Sequence, residues 1–168
     1  RRVASVRMPA VGEDMYLLGT EHVALLANRY SYSWNGSAER KSEVVIFRHA
    51  ADQITETARV PIDGNFLESR MIGSTLCVVM QKTETVTVKG EVSYVSKTMV
   101  YALDLADPSK PQLRGPLDIT GPDGTWSWHA VVHATPEFLF VSTDSWNAGA
   151  GARSSLSVID LRTPEKPL

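Results

Sequence analysis

The chain is expected to be all-β, and three observations predict it. Its apolar runs, such as "LCVVM" at 76–80, are short and rich in Val, Leu and Ile. They are bounded by Gly, Pro, Asp or Ser, and none follows an amphipathic helical spacing. The quartets "VVIF", "VYAL" and "LSVI" begin at 44, 100 and 156, two intervals of 56 residues. Finally, "VYALDLADPSKPQL" from Val100 and "LSVIDLRTPEKPL" from Leu156 write an apolar run, then Asp-Leu, then a polar turn bracketed by two prolines, twice.

Each unit opens after a glycine, with "GEDMYLLG" from Gly12, "GNFLESRMIG" from Gly64 and "GTWSWHAVVHA" from Gly124. A second strand follows in "VALLA" from Val23, "LCVVM" from Leu76 and "LFVST" from Leu139, and the quartets supply the third. "ASVRMPAVG" at 4–12 and "TARVPIDG" at 57–64 share one form, an outermost strand leading to the glycine of the next unit. "DLADPSKP" and "DLRTPEKP" are then the hairpins from a third strand to an outermost one. Asp107-Pro108 starts the turn with φ preset, and Pro111 enters an edge strand, where its missing N–H is harmless. Several runs are apolar at consecutive positions, so both faces of those strands require cover, which implies a stack of sheets. Four strands in just over fifty residues is the signature of β-propeller blades. The expected division is 1–11 as the outermost strand of a preceding or closing blade, 12–63 as blade one, 64–120 as blade two, and 121–168 as blade three without its outermost strand. "QKTETVTVKGEVSYVSK" at 81–97 exceeds a minimal blade and is expected to extend two strands into a ribbon turning at Lys89-Gly90. The expected core includes Val23, Leu25, Val44, Ile46, Leu76, Val78, Val100, Leu139, Val141 and Ile159.

On these stretches the chain resembles a known family. "WSWHAVVHATPEFLFVSTDSW" with "SSLSVIDLRTPEKPL" is similar to propeller repeats of the LVIVD type. "FLESRMIGSTLCVVMQ" resembles the Ser-Arg-x-x-Gly strand opening of secreted prokaryotic β-propeller domains distantly related to WD repeats. The resemblance implies a propeller fold and an extracytoplasmic or secreted location. It implies no reaction, since that family has no shared catalytic motif to carry over.

Composition narrows the function classes. A formal net charge of −2 over 168 residues, with no dense Lys/Arg cluster, lacks the electrostatic footprint of a nucleic-acid binder. No apolar stretch approaches the ~20 residues of a membrane span. Cys77, the single cysteine, is expected to be a buried thiol. The opening "RRVASVRMPAVG" carries neither an initiator Met nor a signal peptide, so a piece of a longer protein is expected. Its partners would be the remaining blades of the ring, from the same polypeptide, a second copy or a related chain.

Chemistry-bearing motifs are scarce. His129 and His133, four apart on a strand, lie on one face roughly 13 Å apart at ~3.3 Å per residue, too far to share an ion. "GPDGTW" at 121–126 resembles a sialidase Asp-box without its spacers and reads as a Pro-Asp-Gly turn. Asn35-Gly36-Ser37 fits a glycosylation sequon and reads equally as a turn. No nucleophile elbow, phosphate loop or zinc spacing is present, so no catalytic residue, metal or cofactor is assigned. Aromatic residues are the stronger signal. Tyr30, Tyr32 and Trp34 fall in the expected connection between strands two and three of blade one, and Trp146, beside Asp144, in that of blade three. Trp126 and Trp128 follow the crossover between blades two and three, where they would also suit inter-blade packing. In a propeller these connections emerge on one face, where large rings could hold a sugar or a protein. Tyr32, Trp34, Trp126, Trp128, Asp144 and Trp146 are therefore the candidate binding residues. The expectation is a non-enzymatic binding module for a protein or glycan. The alternative is part of a glycan hydrolase or lyase, with Asp144 or Glu68 contributing a carboxylate at a central funnel.

Overall fold

The computed structural model describes residues 4–7, 11–32, 38–88, 91–121, 126–147 and 151–162, with the backbone alone for some strand-end residues, 29–32, 38–41 and 126–128 among them. Those residues form eleven strands, β1 (Val11–Leu18), β2 (His22–Tyr32), β3 (Ala38–Ala50), β4 (Gln53–Asp63), β5 (Asn65–Ile72), β6 (Thr75–Val88), β7 (Glu91–Asp104), β8 (Gln112–Asp118), β9 (Trp126–Ala134), β10 (Phe138–Asn147) and β11 (Gly151–Asp160). No helix occurs among the described residues, so none is long and apolar enough to cross a membrane. Three antiparallel sheets result, in the orders β1-β2-β3-β4, β5-β6-β7-β8 and β9-β10-β11, and they do not close into a ring.

The consecutive apolar runs are explained by the second sheet. In β6 all of Leu76, Cys77, Val78, Val79 and Met80 are fully buried. Successive side chains of a strand point to opposite faces, so such a run needs cover on both. Leu76, Val78 and Met80 join Tyr101 and Leu103 of β7 in a core against Ala24, Leu26, Val44 and Ile46 of the first sheet. Cys77, Val79 and Val100 form a second core with Ala130, Val132, Leu139, Val141 and Ile159 of the third. The second sheet is thus sandwiched between the other two.

Eight of the ten expected core residues are buried, and the two exceptions share one cause. Val23 and Leu25 alternate with the buried Ala24 and Leu26, so they point to the face of the first sheet turned away from the second. Among the described residues no other sheet covers that face, although Val45 and Phe47 are buried on it. Val23 and Leu25 instead line a shallow apolar cavity with Met15, Phe47, Ile54 and Val6. Val6 belongs to residues 4–7, which were expected in an outermost strand and form none in this chain.

Ladder registers preserve the 56-residue interval. Ala24 pairs with Ile46, Cys77 with Ala102, and Phe140 with Val158. Beside the inner turns, His49, Leu105 and Leu161, again 56 apart, donate their amides to the carbonyls of Glu21, Ser74 and Glu137 at 2.7, 2.8 and 2.8 Å. The recurring Asp-Leu pair now has a physical meaning. Asp104 Oδ1 accepts the amide of Ala106, and Asp160 Oδ1 that of Arg162, the side-chain turn for which Asp is favoured. Leu105 then enters the first core, and Leu161 packs against the second. Asp107 starts the expected turn, accepting both the amide and the hydroxyl of Ser109. The long insertion is the expected ribbon, paired from Thr75↔Asp104 out to Val88↔Glu91.

Gly64 makes the step from first to second sheet. Its φ is +112°, and a Cβ there would lie 2.6 Å from the Gln81 carbonyl oxygen. Gly64→Ala should therefore cost at least ~2 kcal/mol, combining backbone strain with a backbone clash. Leu76→Ala should cost ~3 kcal/mol and Leu25→Ala clearly less, because only Leu76 lies between two sheets. Urea unfolding midpoints of the three variants test this order, and an equal loss for Leu25 and Leu76 would contradict it.

Candidate functional site

Cross-sheet polar contacts set the sheets side by side with their long hairpins at one end. The Ser42 hydroxyl on β3 is placed to donate to the Gly64 carbonyl, 2.9 Å away, and Lys82 Nζ on β6 lies 3.4 Å from Asp63 Oδ2 of β4. Ser42 leads back to the β2–β3 hairpin, and Lys82 leads out along the β6–β7 ribbon. The β10–β11 hairpin closes the corresponding end of the third sheet.

The aromatic residues reach that end on strands, which corrects the expected placement of Tyr30, Tyr32 and Trp146 on connections. Tyr30 and Tyr32 are the last residues of β2, paired with Arg40 and Ala38, because the hydrogen-bonded ladder continues beyond the apolar "VALLA". Trp126 and Trp128 lie at the start of β9, and Trp146 is the penultimate residue of β10. Trp34, together with 35–37, lies outside the described residues. The ladder places Trp146 opposite Trp126 on one side and Ala152 on the other. The Trp146 side chain is 56% exposed, unusual for the largest apolar residue type.

Beside Trp146 a polar strip crosses all three strands. Asp144 pairs with His129 on β9 and Ser154 on β11. Its Oδ1 accepts the Ser154 hydroxyl at 2.7 Å, and its Oδ2 lies 3.5 Å from His129 Nδ1. The strip alternates with the buried Val141 and Thr143, so it belongs to the outer face of the third sheet. A register shift between Asp144 and Ser145 re-aims the strand there, as bulges do. Serine, histidine and aspartate side by side invite comparison with a nucleophilic triad, but the wiring differs. Nucleophile activation needs imidazole between hydroxyl and carboxylate. Here the carboxylate is in the middle and holds the serine proton, which leaves the imidazole no hydroxyl to deprotonate. What the strip offers is a set of acceptors and donors beside an exposed indole.

Glu68, the other carboxylate singled out from the sequence, is on β5 with its Oε1 accepting the Ser69 amide at 3.0 Å and an Arg70 guanidinium N–H at 3.2 Å. Glu68 is thus on the second sheet, and Asp144 on the outer face of the third. His133 pairs with Phe140 and His129 with Asp144, four rungs apart on one face. Among the described residues no group of three or more His, Cys, Asp or Glu is placed to hold a metal ion. Cys77 is buried, and burial pushes its thiol up to about 11.

A second polar cluster was not singled out from the sequence. Asp14 and Tyr16 on β1 meet Ser69 on β5, fully buried between the sheets. The Tyr16 hydroxyl donates to Asp14 Oδ2 at 2.7 Å, Ser69 Oγ lies 2.8 Å from the same oxygen, and the two hydroxyls are 2.6 Å apart. Ser69 is the serine of the Ser-Arg-x-x-Gly stretch, the one signal that pointed here. The cluster latches one sheet to the next, with Ser69 fully buried and Asp14 and Tyr16 half-buried.

Comparison of the chain with protein-family models, with curated proteins and with solved structures finds no match.

Burial, with Asp14 adding to it against the opposing Ser69 bond, pushes the Tyr16 phenol up to about 12, from about 10 for a free side chain. The folded state therefore keeps a proton that the unfolded state releases, and stability should fall as pH rises from ~10 toward 12 while being fully present below ~10. Tyr16→Phe should flatten that fall and cost ~1 kcal/mol at neutral pH. Tyr101, raised in the same direction chiefly by burial, keeps some slope in the variant. Urea unfolding at several alkaline pH values measures both effects, and an unchanged slope would show that the latch is not the group responsible.

Proposed function

We propose that the chain is a segment of an extracytoplasmic β-propeller and works as a non-enzymatic binding module through its hairpin end. The propeller reading is supported by sheets in simple meander order, two core layers of like construction, and amide-to-carbonyl bonds recurring at His49, Leu105 and Leu161. The extracytoplasmic location follows from the resemblance to secreted propeller domains. On this reading 12–63, 64–120 and 121–168 are successive blades, and 1–11 supplies an outermost strand to a neighbouring blade.

The observation that carries the binding function is the exposed Trp146 beside the Ser154–Asp144–His129 strip. An indole face covers apolar ring surface, and a carboxylate flanked by imidazole and hydroxyl accepts and donates hydrogen bonds to hydroxyl groups. That combination suits a glycan. Tyr32 at the end of β2 and Trp126 and Trp128 at the start of β9 are assigned to the same binding surface in this reading, and so is Trp34 from its place in the sequence.

Binding to a panel of immobilised oligosaccharides tests it, with melting temperature as the control. The chain should retain at least one sugar, and Trp146→Ala or Asp144→Ala should weaken it at least tenfold. Exposed substitutions of this kind change stability by only ~0.5 kcal/mol, so the melting temperature should move by a few degrees at most. Failure to bind any member of the panel would count against a glycan, and a large loss of stability in Trp146→Ala would make the ring structural.

A further inference from the structure

We infer that residues 4–7 form a releasable strap over the outer face of the first sheet, seated by Val6 in the place where a preceding sheet would pack. The ladders identify that face. Val23 pairs with Phe47 and Leu25 with Val45, and the equivalent rungs of the second sheet are Leu76 with Leu103 and Val78 with Tyr101. All four residues of those second-sheet rungs lie in the first core, on the face by which the second sheet receives the first. The outer face of the first sheet is therefore built as a receiving face, and among the described residues no sheet lies on it.

That face is nevertheless kept from water. Val45 is 0% exposed and Phe47 6%. Strand neighbours stand beside a side chain on a sheet face, so burial this deep needs something lying above it. Toward the hairpin end Arg59, opposite Val45, reaches Glu43 at 2.7 Å and Glu56 at 2.6 Å and so spans the rungs. Toward the other end lies the segment 4–7, whose Val6 shares a cavity of about 190 Å³ with Met15, Val23, Leu25, Phe47 and Ile54.

The cover is narrow, as that of a single segment has to be. In the second sheet Met71 packs on the first core and Ser69 is fully buried, because a whole sheet lies over them. Their first-sheet equivalents, Leu17 and Met15, are 75% and 63% exposed. A sheet covers β1 together with β2 and β3, whereas a segment shields the middle strands and leaves the edge bare.

The cover is also lightly held. Residues 4–7 belong to no strand, so no ladder fixes them, and Val6 itself is 41% exposed. Segments with few buried contacts open at a much lower free energy than the fold as a whole. A strap seated by one valine therefore lifts while the three sheets stay together. Lifted, it bares Val23, Leu25 and Phe47; seated, it denies them to any other apolar surface. The propeller reading gives the same residues to an outermost strand of a neighbouring blade, a role that excludes the strap, so on that reading joining the ring requires its release. The strap itself does not rest on that reading.

Two probes in the full 168-residue chain test the strap. The first is a nitroxide on the thiol introduced by Ser5→Cys at an exposed position beside Val6. Its electron paramagnetic resonance spectrum should show slow motion, change to fast motion when Val6→Asp is added, and stay slow with Val6→Leu. The second is the thiol introduced by Leu25→Cys, which should react with a maleimide at least tenfold faster when Val6→Asp is added and at an unchanged rate with Val6→Leu. Cys77, buried in the core between the second and third sheets, should stay unreactive throughout, and circular dichroism should keep its strand spectrum. Fast motion of the nitroxide with Val6 in place overturns the strap, and so does a Leu25→Cys rate indifferent to Val6→Asp. Reaction of Cys77 at the same raised rate would show that Val6 supports the whole fold, which overturns a separately releasable strap. Neither probe involves a sugar or a neighbouring blade, so failure here is distinct from failure of the binding or propeller readings.

Discussion

Every hydrogen-bonded sheet has two faces to keep from water, and among the described residues only the second sheet has another sheet against each face. That constraint organises the rest. Five consecutive buried residues, 76–80, are possible on β6 because alternate side chains enter two different cores. Removing either neighbour would expose half of that run. The apolar area involved is large at roughly 25 cal/mol per Å², and it is contributed by sheets far apart in sequence, so the three are stabilised together.

Hydrophobic burial is non-directional and would tolerate a rotated or shifted stack. Direction comes from polar groups at the sheet junction. The buried Ser69 hydroxyl requires partners, and Asp14 and Tyr16 supply them at one register alone. At the hairpin end, Ser42 reaches Gly64 and Lys82 faces Asp63, so the first and second sheets are held at both ends of their shared face. Gly64 is part of the same constraint, because only a residue without Cβ can pass so near the Gln81 carbonyl.

The same geometry explains why the third sheet is where function is sought. Among the described residues no other sheet covers its outer face, and at the hairpin end the apolar pattern gives way to Asp144, His129, Ser154 and Trp146. In the second sheet the equivalent of Asp144 is Gln81, which is buried. A carboxylate with partners on two neighbouring strands and an indole beside it is held by the ladder, without any loop to order it. Rigid strands position such groups more narrowly than connections would.

Much of the architecture was legible in the residues, because it rests on local chemistry. Strand identity follows from short β-branched runs between turn residues. The Asp-Leu turns follow from the hydrogen bond Asp makes two residues on, and the ribbon from apolar and polar residues flanking Lys89-Gly90. The interval of 56 residues between the third strands is kept while their partners Ala24, Cys77 and Phe140 are unequally spaced, because the difference in length is taken up by the hairpins that join the paired strands. Burial was legible only where a residue's neighbour lay within the chain. Val23 and Leu25 have the composition of core and are only half-buried, since which face meets another sheet is decided by packing. The candidate site depended on tertiary structure in the same way. Whether Trp146 and Tyr32 sit on strands or connections depends on how far a ladder continues past its apolar part, and backbone hydrogen bonding, which side-chain patterning does not report, decides that. Asp14, Tyr16 and Ser69 are 53 to 55 residues apart and unremarkable alone. They become a latch only when two sheets close on a hydroxyl that cannot be left without a partner.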